Sequence, residues 1–148
     1  MKLNLSCSDN HKQGYVNVDI VSPADIITDL NRWWPWEDNS IDEIVAYDAI
    51  EHYKNPIHTM NEAWRVLVPN GIFAIEVPTT DGRGAWQEPQ HCSYWNRNSF
   101  FYYTHGDPHR ERFGDAYGVK ARFKVIEEKQ VELVDKVTKL YIKLMAVK

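Results

Sequence analysis

Three small residues in one loop are the first in the chain that could bind a ligand. Ser6, Cys7 and Ser8 follow a short apolar strand in the stretch KLNLSCSDN, residues 2–10. Many nucleotide-binding domains begin with such a strand and loop, but with glycines in the loop, because glycine lets the backbone approach a ligand closely. Serines occupy those positions here. The stretch therefore predicts a ligand turn with serine in place of glycine, or else a surface turn.

Carboxylates at the ends of predicted strands are the second candidate group. Asp19 ends the strand GYVNVDI, Asp48 follows the strand IDEIVAY, and Asp29 lies in ADIITDL. A carboxylate offers two acceptor oxygens, which suit a diol. Ligands of open α/β sheets bind at the carboxyl ends of strands, where these residues are expected. The structural alternatives are a solvated turn at Asp19 and a cap at Asp29.

Other groups of reactive residues lack the spacing that their chemistry requires. Zinc sites often combine a Cys-Cys pair with a His-His pair at short spacing, and we predict no metal site because no Cys-Cys pair accompanies His91, Cys92, His105 and His109. No G-x-S-x-G motif of a serine hydrolase is present. Glu62 and Arg65, one helical turn apart, predict only a weak surface or hinge pair.

Composition limits the class of protein. The chain has 148 residues, 43% of them hydrophobic, which fits one globular domain. A net charge of -4 with no basic run argues against a nucleic-acid partner. No apolar stretch approaches the roughly 20 residues that span a membrane, and the first residues lack the apolar core of a signal peptide. With only two cysteines, we expect a reducing, cytoplasmic setting.

Period-two alternation of apolar residues predicts most of the elements. The predicted strands are Leu3–Leu5, GYVNVDI, a very short one in ADIITDL, IDEIVAY, IFAIEVP and two more around Phe123–Leu133 and Lys139–Ala146. A short turn near VDK joins the last two into a hairpin. The clearest predicted helix is NPIHTMNEAWRVLVPNG, opened by Asn55 and Pro56. A second helix is predicted near SFFYYTH, and GDPHRERFG is predicted to be a charged surface loop.

Two short connections limit where helices can lie. Only nine residues, Ser6 to Gly14, separate the first two strands, and only VSPA separates the second from the third. A parallel crossover with a helix needs roughly 10–12 residues or more. The strands also alternate, whereas parallel strands covered on both faces are continuous apolar runs. We therefore expect helices mainly on one face. The other face, with Tyr15 and Tyr141, would meet solvent or a second copy in a homodimer.

Several motifs, taken in order, resemble the class I S-adenosylmethionine-dependent methyltransferases of the small methyltransferase-domain group. They are LNLSCSDN, GYVNVDI, ADIITDL, PWEDNSIDEIVAYDAIEH, MNEAWRVLVPNGIFAIEVP and EPQHCSYWNRNSFFYY. They extend over nearly the whole chain, and their order is more specific than any one motif. The resemblance implies one domain, residues 1–148, with a Rossmann-like α/β sheet. That sheet would be mostly parallel, end in an antiparallel hairpin and be trimmed so that helices lie mainly on one face.

The resemblance also implies S-adenosylmethionine as cofactor and S-adenosylhomocysteine as product. In the family, the acidic residue at Asp19 takes the ribose hydroxyls, the pair at Asp29 and Leu30 meets adenine, and glycine is usual at Ser6 and Ser8. The residues assigned to the cofactor in this way are Leu5, Ser6, Cys7, Ser8, Asp19, Ile20, Asp29, Leu30, Tyr47 and Asp48.

Methyl transfer is an in-line displacement in which positioning does most of the work. An oxygen or nitrogen acceptor can also need a general base, and the candidates are His52 in EH and His91 in EPQHCSYW. A structural role at a helix start is the alternative for His52. Nine aromatic residues between Trp86 and Tyr117 would grip a planar or sugar acceptor, or pack in the core. The implied function is methyl transfer to a small-molecule or glycan-like acceptor.

Two other classes of function stay open. Ser6, Ser8 and the missing helices also fit a methyltransferase fold that has lost catalysis and acts as a binding or regulatory module. A nicotinamide-dependent oxidoreductase would need a phosphate-binding turn that leads into a helix. The nine residues from Ser6 to Gly14 leave little room for that helix.

Overall fold

The alternating segments form one seven-stranded sheet in the computed structural model, which describes residues 1–148. Its strands are β1 (Lys2–Leu5), β2 (Val16–Asp19), β3 (Ile26–Ile27), β4 (Ile41–Tyr47), β5 (Leu67–Pro78), β6 (Phe123–Glu132) and β7 (Thr138–Ala146). They lie in the order β3-β2-β1-β4-β5-β7-β6. Strands β1 to β5 pair in parallel, and β7 pairs antiparallel with both β5 and β6. The predicted mostly parallel sheet with a closing hairpin is confirmed.

Three α-helices accompany the sheet: α1 (Pro56–Val66), α2 (Gly84–Gln87) and α3 (Pro108–Tyr117). Short 3-10 segments cover Ile50–His52, Arg97–Tyr103 and Val134–Lys136. The side chain of Asn55 accepts the backbone N–H of His58 at 3.1 Å and so caps α1 as predicted. Apolar residues of α1, such as Met60 and Ala63, join the sheet residues Leu3, Ile44 and Phe73 in one core. The helices therefore cover one face, as the alternation predicts.

The opposite face carries no helix. The loop from Ser6 to Tyr15 crosses part of it, since the side chain of Asn4 donates to the backbone oxygen of Asn10 at 2.9 Å and to the side chain of Asn17 at 2.9 Å. Both asparagines are buried beneath this loop. Beyond it, aromatic and charged side chains line the face, among them Lys2, Tyr15, Glu43, Tyr47, Tyr141 and Lys143. Homodimerisation through this face stays a prediction.

Three elements differ in bounds or type from the prediction. Helix α3 begins within GDPHRERFG, where a loop was expected, because Asp107 caps it by accepting the N–H of His109 at 2.8 Å. Pro108 takes the first helical position, and Gly118 ends the helix with a left-handed φ of 77°. Helix α1 stops at Val66, because Leu67 is already extended and opens β5. The predicted helix near SFFYYTH is a 3-10 segment.

The pair of Glu62 and Arg65 is largely buried, so of the two expectations, a weak surface pair or a hinge pair, the surface pair is wrong. The side chain of Glu62 is 5% exposed and that of Arg65 is 14% exposed. Arg65 donates to both oxygens of Glu62 at 2.8 Å, and also to the backbone oxygens of Trp34 and Trp36. The pair thus fastens α1 to the tryptophan-rich segment before β4. Among all the helices, none is both long enough and apolar enough to span a membrane.

Candidate active site

A cavity of about 240 Å³ opens at the carboxyl ends of β1 and β2. Its wall is formed by Ser6, Asp19, Ile20, Thr28, Asp29, Leu30, Asn31, His52, Tyr53 and Gln90. Its size is a little below the roughly 300–1,000 Å³ typical of small-molecule sites. The cavity lies where ligands of open α/β sheets bind.

The serine turn has the backbone conformation that glycine would adopt. Ser6 has φ 49° and Ser8 has φ 44°, both in the left-handed region. The Ser6 hydroxyl shares a hydrogen bond of 2.7 Å with the hydroxyl of Tyr53, which is buried. The side chain of Ser6 is thereby tied to the wall, and the cavity beside it remains open. The turn keeps the geometry of a glycine loop although it contains serines.

Asp19 joins this turn to the end of β2. One carboxylate oxygen accepts the backbone N–H of Ser8 at 2.9 Å, and the other accepts the N–H of Ile20 at 2.7 Å. Each carboxylate oxygen can accept a second hydrogen bond. The oxygen that bonds Ile20 also accepts the backbone N–H of Val21 at 3.4 Å. Because Asp19 lines the cavity, the other oxygen has a lone pair available to a ligand hydroxyl, and a second hydroxyl would replace the long bond from Val21.

The segment after β3 supplies the far wall. Asp29 accepts hydrogen bonds from the backbone and side-chain nitrogens of Asn31 at 3.0 and 3.1 Å, and these bonds lower the pKa of its carboxyl. The carbonyl of Leu30 accepts the indole N–H of Trp34 at 3.1 Å. Trp34 is fully buried. The predicted adenine pair, Asp29 and Leu30, is therefore held against the core.

Some residues predicted for the cofactor lie outside the wall. Leu5 and Cys7 are buried in the interior, and Ser8 is exposed beside the turn. The Tyr47 ring lies on the helix-free face, 6.4 Å from the ring of Tyr141. Asp48 pairs with Lys139. Strand alternation explains Tyr47: its side chain points to the face opposite the core residue Ala46. A cofactor contact with Tyr47 could be made only by its backbone.

Four residues of the wall were missed: Thr28, Asn31, Tyr53 and Gln90. Asn31 and Thr28 flank the predicted pair Asp29 and Leu30, so their position was within reach of the sequence argument. Tyr53 follows the predicted His52, and its contact with Ser6 joins residues that are distant in the sequence. No local pattern signals such a contact.

The two predicted histidines come together beside the cavity. His52 lines it, and the His91 ring lies 5.0 Å from the His52 ring at an angle of 78°. Glu51, which the sequence analysis did not single out, joins them; one ligand atom from each of the three residues lies within 4.8 Å of the others. Burial raises the pKa of Glu51 to about 7. The Oε2 atom of Glu51 is buried and has no hydrogen-bond partner.

Aromatic residues of the long segment after β5 divide into two groups. Trp95, Phe100 and Tyr103 are buried in the core. Trp86 and Tyr94 are 62% and 49% exposed, and their rings stack at 4.8 Å with an angle of 19°. The Tyr94 hydroxyl donates to the backbone oxygen of His91 at 3.4 Å. The exposed stack therefore adjoins the histidine pair.

The sheet order and the cavity define a class I methyltransferase fold, and the comparisons agree. Solved structures with this fold include an S-adenosylmethionine-dependent methyltransferase of Methanosarcina mazei, with a TM-score of 0.65 at 12% identity over 99% of this chain and 92% of that one. Another is from Aquifex aeolicus, with a TM-score of 0.63 at 15% identity over 99% and 81%. A third is the 1,6-didemethyltoxoflavin-N1-methyltransferase of Burkholderia thailandensis, with S-adenosylhomocysteine bound, with a TM-score of 0.66 at 14% identity over 99% and 71%.

Part of the sequence matches a family model. Residues 7–75, a little under half of the chain, match the family model described as "Methyltransferase domain". No curated protein is significantly similar to the chain. The family match and the shared fold together support a relationship to the class I S-adenosylmethionine-dependent methyltransferases.

Proposed function

We propose that the chain binds S-adenosylmethionine in this cavity and transfers its methyl group to a small-molecule or glycan-like acceptor. The observation that carries the proposal is the meeting of Asp19 with the left-handed turn at Ser6 and Ser8 on the cavity. This arrangement leaves carboxylate lone pairs for a ribose diol and an open backbone turn for the rest of the nucleoside. The residues present thus fit the cofactor of the family.

The protein's main contribution to methyl transfer would be to position the cofactor and the acceptor relative to each other. When bound, S-adenosylmethionine supplies an electrophilic methyl group: the acceptor's lone pair forms the new bond to carbon, the carbon–sulfur bond breaks, and sulfur keeps the electron pair. Asp19 and Asp29 would orient the nucleoside from two sides of the cavity. His52 and His91 are the imidazoles placed to assist loss of the acceptor's proton.

The acceptor would approach from the side of the aromatic stack. Trp86 and Tyr94 expose flat ring faces next to His91, and His91 adjoins His52 on the cavity wall. Aromatic faces pack well against the apolar faces of sugar or planar rings. These contacts support a ring-bearing acceptor such as a glycan. Incubation with methyl-labelled cofactor and panels of sugars, amines and phenols would identify its class.

Isothermal titration with S-adenosylhomocysteine tests the cofactor proposal. We expect micromolar binding to the wild type and a loss of about tenfold or more in Asp19→Asn, because hydrogen bonds to charged groups contribute about 1.5–3 kcal/mol each. Asp135→Asn is the matched control, since Asp135 is exposed at the tip of the β6–β7 hairpin. Its affinity should equal that of the wild type.

The same titration separates the enzyme from the second candidate. Absence of binding at millimolar ligand, with a normal thermal transition, would reject the cofactor proposal. That outcome would favour a binding module that keeps the fold without the cofactor. The serines at positions 6 and 8 also fit this second candidate function.

A further inference from the structure

A carboxylate and two imidazoles converge beside the cofactor cavity. Glu51 and His52 belong to the 3-10 turn after β4, and His91 belongs to the segment after α2. One ligand atom from each of the three residues lies within 4.8 Å of the others. Metal-bound nitrogen and oxygen ligands are typically about 3–3.5 Å apart, given bonds of roughly 2.0–2.2 Å. Small side-chain movements would therefore bring all three atoms onto one ion.

Glu51 lacks a partner for part of its carboxylate. The residue is only 2% exposed, and its Oε2 makes no hydrogen bond. Buried charged groups are normally paired or bound to a metal, because leaving them unpaired is costly. Lys139 makes no hydrogen bond to this oxygen and is bonded instead to Glu76 at 2.9 Å and to Asp48. The unpaired Oε2 atom of Glu51 therefore indicates that a cation from outside the chain binds here.

His91 is oriented as a ligand. Its Nδ1 lies 2.9 Å from the backbone oxygen of Ala85. A carbonyl can only accept, so Nδ1 carries the proton and Nε2 keeps its lone pair. Metal-binding histidines are usually fixed in this way, by donating their second nitrogen to a carbonyl or carboxylate.

Backbone hydrogen bonds hold the two segments together. The N–H groups of Cys92 and Ser93 donate to the carbonyl of Glu51 at 2.7 and 3.0 Å. The Ser93 hydroxyl donates to the carbonyl of Ile50 at 3.0 Å and accepts the indole N–H of Trp95 at 2.9 Å. The ligands therefore sit on a preorganised scaffold tied to the core, as a specific site requires.

We propose that Glu51, His52 and His91 form a site for one divalent first-row transition-metal ion. Two imidazoles and one carboxylate suit Zn²⁺, Mn²⁺, Fe²⁺ or Co²⁺, whereas Ca²⁺ and Mg²⁺ prefer all-oxygen sites. Three protein ligands leave coordination positions open, which is typical of catalytic sites. The sequence analysis predicted no metal because it compared His91 only with Cys92, His105 and His109.

The position of the site indicates what the ion would do, and this step rests on the proposed function. His52 borders the cofactor cavity, while His91 borders the stack of Trp86 and Tyr94. An ion between them would take a hydroxyl oxygen of the acceptor in an open position and lower the pKa of that hydroxyl. With both imidazoles on the ion, they would act as metal ligands instead of as bases, and the proton would leave to water. The oxygen would attack the methyl carbon, whose bond to sulfur breaks. The acceptor class is then a hydroxyl on a sugar or planar ring.

Cobalt titration tests the site directly, without turnover. The full chain, free of an affinity tag and stripped with a chelator, is titrated with Co²⁺ while visible absorption is recorded, and Zn²⁺ is then added as competitor. We expect saturation at one equivalent, displacement by Zn²⁺, and binding about tenfold or more weaker in Glu51→Gln and in His91→Gln. His105→Gln is the control, because His105 is exposed and outside the cluster. It should bind like the wild type.

Two results of the Co²⁺ titration would overturn the metal-site proposal. Weak binding without saturation at one equivalent, or an equal loss in His105→Gln, would mean adventitious metal only and would overturn the proposal. Glu51→Gln removes a buried charge, so it carries the test if His91→Gln does not fold. Asp19→Asn separates the two proposals: we expect it to lose S-adenosylhomocysteine and keep Co²⁺. Absent Co²⁺ binding with intact nucleoside binding rejects the metal site alone, and the reverse rejects the cofactor site alone.

Discussion

At the scale of single residues, the serine turn is a feature on which the proposed cofactor binding depends. Ser6 and Ser8 occupy left-handed backbone conformations, which cost a residue with a Cβ atom roughly 1–2 kcal/mol. Ser6 offsets part of this cost through its hydrogen bond to Tyr53. Ser8 makes no such bond with its hydroxyl. The two serines are therefore not equivalent, although the sequence presents them as a pair.

The difference predicts opposite effects of glycine at the two positions. Ser8→Gly removes backbone strain and should raise the free energy of unfolding by about 0.5–1 kcal/mol, after allowance for the flexibility of glycine. Ser6→Gly also leaves the buried Tyr53 hydroxyl unpaired, so its stability should be equal to or lower than that of the wild type by up to about 1 kcal/mol. Urea denaturation of both variants measures the contrast. A Ser8→Gly variant less stable than Ser6→Gly would contradict it.

The buried carboxyl of Glu51 predicts a pH dependence of the metal-free protein. Burial raises its pKa in the folded state to about 7, above the unfolded value of 4.5. A raised acid pKa means that its contribution is complete below the unfolded value and is lost as the pH rises through the folded value. With chelator present, Glu51→Gln should match the wild type near pH 4 and exceed it by a few kcal/mol near pH 8.

Thermal melts at several pH values, with and without Zn²⁺, would measure this dependence. The advantage of Glu51→Gln at high pH should shrink when Zn²⁺ is added, because the wild type binds the ion more tightly and gains more stability from it. An advantage that is constant with pH would show that Glu51 does not titrate in this range.

At the scale of elements, the attachment of α1 depends on the buried pair Glu62 and Arg65. Burial alone would raise the pKa of Glu62, but hydrogen bonds from Arg65 and from the backbone of Trp34 outweigh it and lower the pKa. Glu62→Gln should therefore lower the free energy of unfolding by about 1.5–3 kcal/mol at neutral pH, because the guanidinium of Arg65 loses one of its two carboxylate partners and keeps Asp38 at 2.7 Å.

The direction in which the stability contribution of Glu62 changes with pH follows from its lowered pKa. Its contribution is present above the unfolded value of 4.5 and is lost as the pH falls through the lower folded value. The gap between wild type and Glu62→Gln should thus be full at neutral pH and shrink in acid. Denaturant titrations at both pH values check this, with the exposed Glu37→Gln as a control that should change stability by less than about 0.5 kcal/mol. An equal gap at both pH values would contradict the account.

Element by element, local patterns predicted the sheet better than the helices. The alternation in β2 and β7 depends on neighbours two residues apart, and so it is visible in the sequence. Helix α3 was missed because its residues are charged and lack an apolar stripe. Its signals were the cap at Asp107, the proline at 108 and the terminal glycine at 118. Helix α3 would have been predicted if helix-capping residues had been given more weight than hydrophobic periodicity.

The same reasoning explains what the site prediction missed. Asp19 and His52 lie at strand ends, where topology alone places ligands. The meeting of His91 with Glu51 depends on how the segment after β5 folds back onto the turn after β4. Contacts at such separation have no local signature. The burial of Glu51 likewise follows from tertiary packing rather than from its neighbours.

At the scale of the whole molecule, one face of the sheet lacks the helices that cover the other. Its charges are largely paired with one another: Lys2 with Glu43 at 2.7 Å and Lys143 with Glu127 at 2.7 Å, while Tyr15 donates to Glu43 at 2.7 Å. Such pairing lets a bare sheet face contact water. Light scattering at low concentration would test the predicted homodimer: a mass near twice 17.4 kDa supports it, and the single-chain mass rejects it.

The central claim is that the cavity at the ends of β1 and β2 receives the adenosyl group. A crystal structure of the chain with S-adenosylhomocysteine tests it most directly. We predict the ribose hydroxyls on the carboxylate of Asp19 and the adenine beside Asp29 and Leu30. A nucleoside bound elsewhere, or the side chain of Ser6 or Ser8 filling the cavity with Asp19 turned away, would contradict the account.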